Sequence, residues 1–172
     1  IISFGMSLFL CEVTESNNIQ FIFPGYIFLM FLISYNFFSV KKYDKIILSG
    51  TSLIEKRYLD HDFSWIKEFE GKILGICAGM QVIAMIHDCK LKKCTEIGMY
   101  NIKVFTPNKL ESEDFEAYCL HNYAVEPNDK FDELFGTKKC TQGIKLKGKE
   151  VYGVLFHPEV RNQSIINWFK ES

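Results

Sequence analysis

Short apolar runs rich in β-branched residues alternate along the chain with segments whose apolar positions recur at helical spacing. In the first half, residues 1–4, 19–23, 44–48 and 72–76 read as strands. Residues 7–15, 26–39, 64–70 and 78–87 read as helices. Strand followed by helix, repeated, predicts parallel pairing with helices on both faces of a sheet. Beyond residue 100 the rhythm changes. Residues 101–105, 118–125, 143–146 and 150–156 read as strands, the last two joined by a Lys-Gly turn, and 163–170 reads as a closing helix. Strands without intervening helices predict an antiparallel addition. The expected fold is therefore α/β: a three-layer, open, mostly parallel (mixed) sheet. No repeat or Pro/Gly/Ser-rich linker divides the 172 residues, which predicts a single domain over 1–172.

One apolar stretch, 19–40, is about as long as a membrane span. Pro24-Gly25 interrupts it, and Gln20, Ser34, Asn36 and Ser39 add polarity, so it reads as strand, turn and helix rather than as a span. The helix would be apolar nearly all round, which predicts burial or cover by another chain, and so a possible homo-oligomer through the 19–40 region.

Composition narrows the class. The net charge is −1 and no basic stripe stands out, which excludes nucleic acid as the expected partner. Six cysteines stand at 11, 77, 89, 94, 119 and 140 without a CxxC pair or zinc-ligand spacing. With no secretory leader visible, they read as reduced thiols of a cytoplasmic protein with neither metal nor cofactor. In that setting most are small packing residues and one can be reactive.

The most informative segment is Gly75-Ile76-Cys77-Ala78-Gly79-Met80-Gln81, which passes from apolar strand to helix almost without a loop. Gly75 and Gly79 flank Cys77 at the spacing of a nucleophile elbow. The sharp bend strains the central residue and pushes its side chain out of the sheet, and side chains at the two glycine positions would collide across it. Cys77 would then sit at a helix N-terminus, where the dipole and free N–H groups favour a thiolate. The Ala78 N–H would point at the oxyanion of an attacked carbonyl. The bland alternative is a buried cysteine between two convenient glycines.

A second constellation is Phe156-His157-Pro158-Glu159-Val160, at the end of an apolar strand. Catalytic groups in open α/β sheets gather at the carboxyl ends of strands. Pro158 disfavours helix at His157, and residues two apart in extended backbone project together. Glu159 can therefore orient the His157 imidazole and stabilise its charged form, the base-and-orienter logic of a triad. The other histidines, His61, His87 and His121, carry no such neighbour.

The two motifs, with Ile46-Ile47-Leu48-Ser49-Gly50 at another strand end, resemble the signatures of class I (triad) glutamine amidotransferases. The resemblance covers roughly residues 44–170 and favours guanylate-forming and imidazole-forming members equally. It implies the flavodoxin-like fold of that family and a glutaminase reaction on L-glutamine through a Cys77–His157–Glu159 triad and a glutamyl thioester. The ammonia would pass to a separate synthase subunit. It further implies backbone oxyanion donors at Gly50 and Ala78, substrate contact by Gln81, and a grip on the α-amino and carboxylate groups by His121, Asn122 and Tyr123, mainly through backbone. Thr51-Ser52 departs from the family's Gly-Pro at the oxyanion strand, and a Cβ at Thr51 would clash if that position needs φ > 0. Two other readings stay open. One is a related cysteine hydrolase of the γ-glutamyl hydrolase or peptidase type, with the same triad. The other is a non-catalytic domain that keeps the fold.

Overall fold

Alternation within very short strands decides the layering. In the computed structural model, which describes residues 19–22, 43–51, 53 and 62–172, Ile46, Leu48 and Ile73 turn to one core. Ile47, Leu74 and Ile76 turn to a second core on the opposite face. This is the period-two pleat of strands buried on both sides.

The described residues form eight strands and three helices. The strands are β1 (Ile19–Ile22), β2 (Lys45–Leu48), β3 (Lys72–Ile76), β4 (Lys90–Val104), β5 (Phe115–Glu126), β6 (Phe131–Gly136), β7 (Thr141–Leu146) and β8 (Val151–Val154). The helices are α1 (Trp65–Glu68), α2 (Ala78–Ile86) and α3 (Gln163–Glu171). One open sheet runs in the order β1-β2-β3-β8-β7-β6-β4-β5. β1, β2, β3 and β8 are parallel, and every pairing from β8 outward to β5 is antiparallel. Met80, Ile83 and Ala84 of α2 fill one core, with Ile66 of α1. Ile165 and Phe169 of α3 fill the other, so helices cover both faces. This is the open mixed sheet of the flavodoxin-like class.

Several expected elements differ in extent. β4 begins at Lys90, where only 101–105 was expected. Its first half is a charged ribbon paired with β5 alone, with one face largely in solvent and a register shift between Lys93 and Glu96. Those charges and that bulge hide the alternation. β6 was not expected at all. Its register slips on either side of Phe135, so the buried Phe131, Leu134 and Phe135 do not recur at period two. The expected helix 64–70 shrinks to the four residues of α1. α2 stops where Asp88 takes φ 70°, a left-handed helix terminus. The expected elements 1–4, 7–15 and 26–39 lie outside the described residues, as does the interface expected on them. No helix of the described residues is long and apolar enough to cross a membrane.

Candidate active site

Three parallel strands end side by side, and the predicted site residues follow them. β2 and β3 pair Leu48 with Gly75, and β3 and β8 pair Ile76 with Val154. Gly50, Cys77 and His157 lie just beyond these carboxyl ends.

Cys77 is the hinge of the elbow. It adopts φ 51°, ψ −107°, and among the described non-glycine residues only Asp88 shares a positive φ. The strain is held from both sides: the Cys77 N–H donates to the Val154 carbonyl at 2.8 Å, and its own carbonyl accepts from Gln81 N at 3.2 Å. The flanking glycines are sterically required. A Cβ on Gly75 would lie 2.6 Å from the Gly79 carbonyl carbon, and one on Gly79 would lie 2.1 Å from the Leu48 carbonyl oxygen. Ala78 opens the first turn of α2, where N–H groups have no intrahelical acceptor.

His157 reaches the same place from β8. Leu155 N–H donates to the Gln142 carbonyl, and His157 N–H donates to the Tyr118 carbonyl, both at 2.8 Å, which fixes the backbone leading to the imidazole. Its Nδ1 lies 2.6 Å from Glu159 Oε1. The contact forms within a turn closed by Val160 N–H to the His157 carbonyl, not in the extended backbone the sequence suggested. Burial alone would lower the His157 pKa. The nearby Cys77 sulfur and the hydrogen-bonded Glu159 carboxylate, with their charges, override it and raise the pKa to about 10. Its Nε2 is buried, and no described group meets hydrogen-bond geometry with it.

Gly50 packs over both groups: a Cβ built there would lie 3.3 Å from Cys77 Cβ and 3.3 Å from His157 Cε1. Those atoms therefore flank one point above the Gly50 backbone. Thr51 does not take a positive φ, so its Cβ meets no left-handed strain.

The segment 118–123 walls the site with backbone. Cys77 Sγ lies 3.7 Å from the Leu120 carbonyl oxygen, and Gln81 Nε2 donates to the Tyr123 carbonyl at 2.9 Å. The Tyr118 ring stands edge-on to the His157 ring, with centroids 6.5 Å apart. Asn122 Oδ1 accepts from Thr95 on the exposed side, while the His121 imidazole turns inward and is buried. Tyr118 and Leu120 did not stand out in the sequence, because a backbone carbonyl leaves no mark on residue type.

Two other thiols, Cys89 and Cys119, are buried and harder to ionise. Burial raises the pKa of Cys89, and burial with the nearby Glu96 carboxylate raises that of Cys119 to about 12. Two sets of side chains, Cys94–Glu96–Cys140 and Glu96–Cys119–His121, lie close enough to hold a cation. The Gln142 amide nitrogen already occupies their midst, 2.6 Å from Glu96 Oε2, 3.1 Å from His121 Nε2 and 3.4 Å from Cys140 Sγ. The cluster is closed by hydrogen bonds.

An open α/β sheet with a cysteine elbow facing a histidine–carboxylate pair at its parallel-strand ends defines the class of protein. The profile of the "Glutamine amidotransferase class-I" family matches residues 27–165, and the chain belongs to that family. It is 29% identical over 133 residues to one subunit of the glutamine-hydrolysing GMP synthase of Saccharolobus solfataricus, covering 72% of this chain and 71% of that one. It is 30% identical to the corresponding GMP synthase subunit of Methanococcus maripaludis, covering 67% and 64%. Against the GMP synthase of Borreliella burgdorferi it is 32% identical over 67% of its own length but spans only 24% of that protein. Among solved structures, a putative GMP synthase subunit from Thermoplasma acidophilum superposes with a TM-score of 0.71 at 25% identity, covering 79% of this chain and 75% of the other. A glutamine amidotransferase from Thermotoga maritima shares the fold at TM-score 0.61 and 22% identity, covering 77% of this chain and 63% of the other.

Proposed function

We propose that this chain is a glutaminase unit that hydrolyses L-glutamine to glutamate and ammonia and delivers the ammonia to a separate synthase subunit. The observation that carries the reading is the convergence of a strained cysteine elbow with a histidine whose Nδ1 is held 2.6 Å from a carboxylate. Family membership and the GMP synthase relatives support it.

In this mechanism Cys77 and His157 form a thiolate–imidazolium pair, and the Cys77 thiolate attacks the side-chain amide carbon of glutamine. The oxyanion is received by backbone donors at Ala78 and Gly50. The protonated His157 delivers its proton to the departing nitrogen, the C–N bond breaks, and ammonia leaves a glutamyl thioester on Cys77. His157, now neutral, takes a proton from water, whose oxygen attacks the thioester. The C–S bond breaks and glutamate is released. Glu159 keeps the imidazole oriented and stabilises its charge in both halves. Gln81 and the backbone of His121, Asn122 and Tyr123 hold the amino-acid end of the substrate.

A partner is supported by the surface beside the site. Ile97 and Met99 of β4 are 55% and 47% exposed. They pair across the ribbon with Leu120 and Tyr118, which border Cys77 and His157. Apolar side chains left in water next to a reactive centre suit a surface that another chain covers. The functional test compares hydrolysis of free glutamine with that of γ-glutamyl peptides. Turnover of free glutamine, faster with the ammonia-using partner, is expected. Preference for the peptides would make the chain a γ-glutamyl hydrolase instead.

A further inference from the structure

Behind the site lies a buried polar cluster that the reaction does not use directly. Glu96 and His121 face each other across β4 and β5, each 1% exposed, and Gln142 on β7 is fully buried between them. The His121 Nδ1–H donates to the Cys94 carbonyl at 3.0 Å, which leaves Nε2 as the acceptor. Burial lowers the His121 pKa. The Gln142 amide gives one N–H to that Nε2 at 3.1 Å and the other to Glu96 Oε2 at 2.6 Å. Thr137 Oγ1 donates to the second Glu96 oxygen at 2.9 Å, and Cys119 S–H points to Gln142 Oε1 at 3.6 Å. One amide therefore ties the inner face of β5 to β7.

Both ends of Gln142 lead to the site. Its side chain grips His121 and Cys119, which bracket Leu120, whose carbonyl oxygen lies 3.7 Å from the Cys77 sulfur. Its backbone carbonyl receives the Leu155 N–H, two residues before His157. The same stretch of β5 accepts the His157 N–H at Tyr118 and the Gln81 side chain at Tyr123. We propose that Gln142 is a positioning residue: by linking the 118–123 wall to the backbone that carries His157, it sets the spacing of the Cys77 sulfur and the His157 imidazole. A misplacement of about 1 Å at such a pair can cost about a hundredfold in rate.

The proposal rests on the glutaminase reading for its kinetic consequence, but it can be read without glutamine. Gln142→Met keeps the length of the side chain and removes both N–H donors. On the full chain, two measurements are made: kcat and KM for glutamine, and the pH profile of Cys77 alkylation by iodoacetamide, followed by peptide mass spectrometry. The variant is expected to lose kcat by about tenfold or more with KM changed less than about threefold. It should also alkylate at Cys77 with a displaced pH profile. Glu96→Gln, which keeps an acceptor facing the amide, should stay within about threefold of the parent in both. If Gln142→Met strands the buried Glu96 and does not fold, the double variant Glu96→Gln/Gln142→Met removes the stranded charge, and the same two changes are expected of it. Folded protein with the parent's alkylation profile would overturn the proposal and leave the cluster a packing feature. Absence of glutamine turnover in the parent would sink the glutaminase reading while leaving the alkylation result decisive for this one.

Discussion

Cys77 is held at φ 51° by a bond to Val154 on one side and by the first turn of α2 on the other. No L side chain rests there without restraint. Cys77→Ala should abolish glutamine hydrolysis, by about a thousandfold or more, with an unchanged circular dichroism spectrum. Glu159→Gln should lower kcat by about a hundredfold or more, because the neutral amide no longer fixes the proton or offsets the charge of the ring. The same change has a stability signature. The His157 pKa is raised from 6.5 to about 10 in the folded protein. The stabilisation linked to it is thus complete below the unfolded value of 6.5 and is lost as pH rises through about 10. Denaturant midpoints of Glu159→Gln should fall below those of the parent near neutrality and approach them above about pH 10. At this scale the sequence is most legible where residues act through side chains at short spacing. Cys77 between Gly75 and Gly79, and His157 two residues before Glu159, are visible as motifs. Tyr118 and Leu120 act through carbonyls, and Gln142 acts only through partners that the fold brings from distant strands, so residue type alone could not reveal them.

At the scale of elements, the β3–α2 elbow depends on close approach. The 2.1 Å separation between a Cβ on Gly79 and the Leu48 carbonyl oxygen is a clash with backbone, which cannot rotate aside. Gly79→Ala should therefore destabilise the fold by about 1–3 kcal/mol, and it should reduce activity beyond the loss of folded protein by shifting α2 and its first N–H groups. Chemical denaturation and specific activity of the folded fraction separate the two effects. The strands buried on both faces, β2, β3 and β8, were legible because each is a short unbroken apolar run. β4 and the missed β6 were not, for a physical reason. Lys90, Lys92 and Lys93 sit in a ribbon open to solvent, and the register shifts around Phe135 break the alternation on which strand recognition depends.

At the scale of the molecule, the parallel and antiparallel halves of the sheet divide the labour. The parallel strands bring Gly50, Cys77 and His157 to one edge, and the antiparallel ribbon β4–β5 supplies both the wall of the site and an apolar outer surface. The chain matches 24% of the length of the GMP synthase of Borreliella burgdorferi. Ile97→Lys together with Met99→Lys should weaken association with the ammonia-using partner by about tenfold or more while leaving glutamine hydrolysis by the isolated chain within about twofold. Binding titrations and turnover of the isolated chain check the two halves of that expectation.

The central claim is that one sulfur is the nucleophile, and it can be tested by letting a glutamine-like electrophile choose. A diazoketone analogue of glutamine, incubated with the intact chain and followed by peptide mass spectrometry, should form a single covalent adduct on Cys77 and abolish turnover in proportion to labelling. Excess glutamine should protect. An adduct on Cys89 or Cys119 in place of Cys77, or full labelling of Cys77 with turnover intact, would contradict the account.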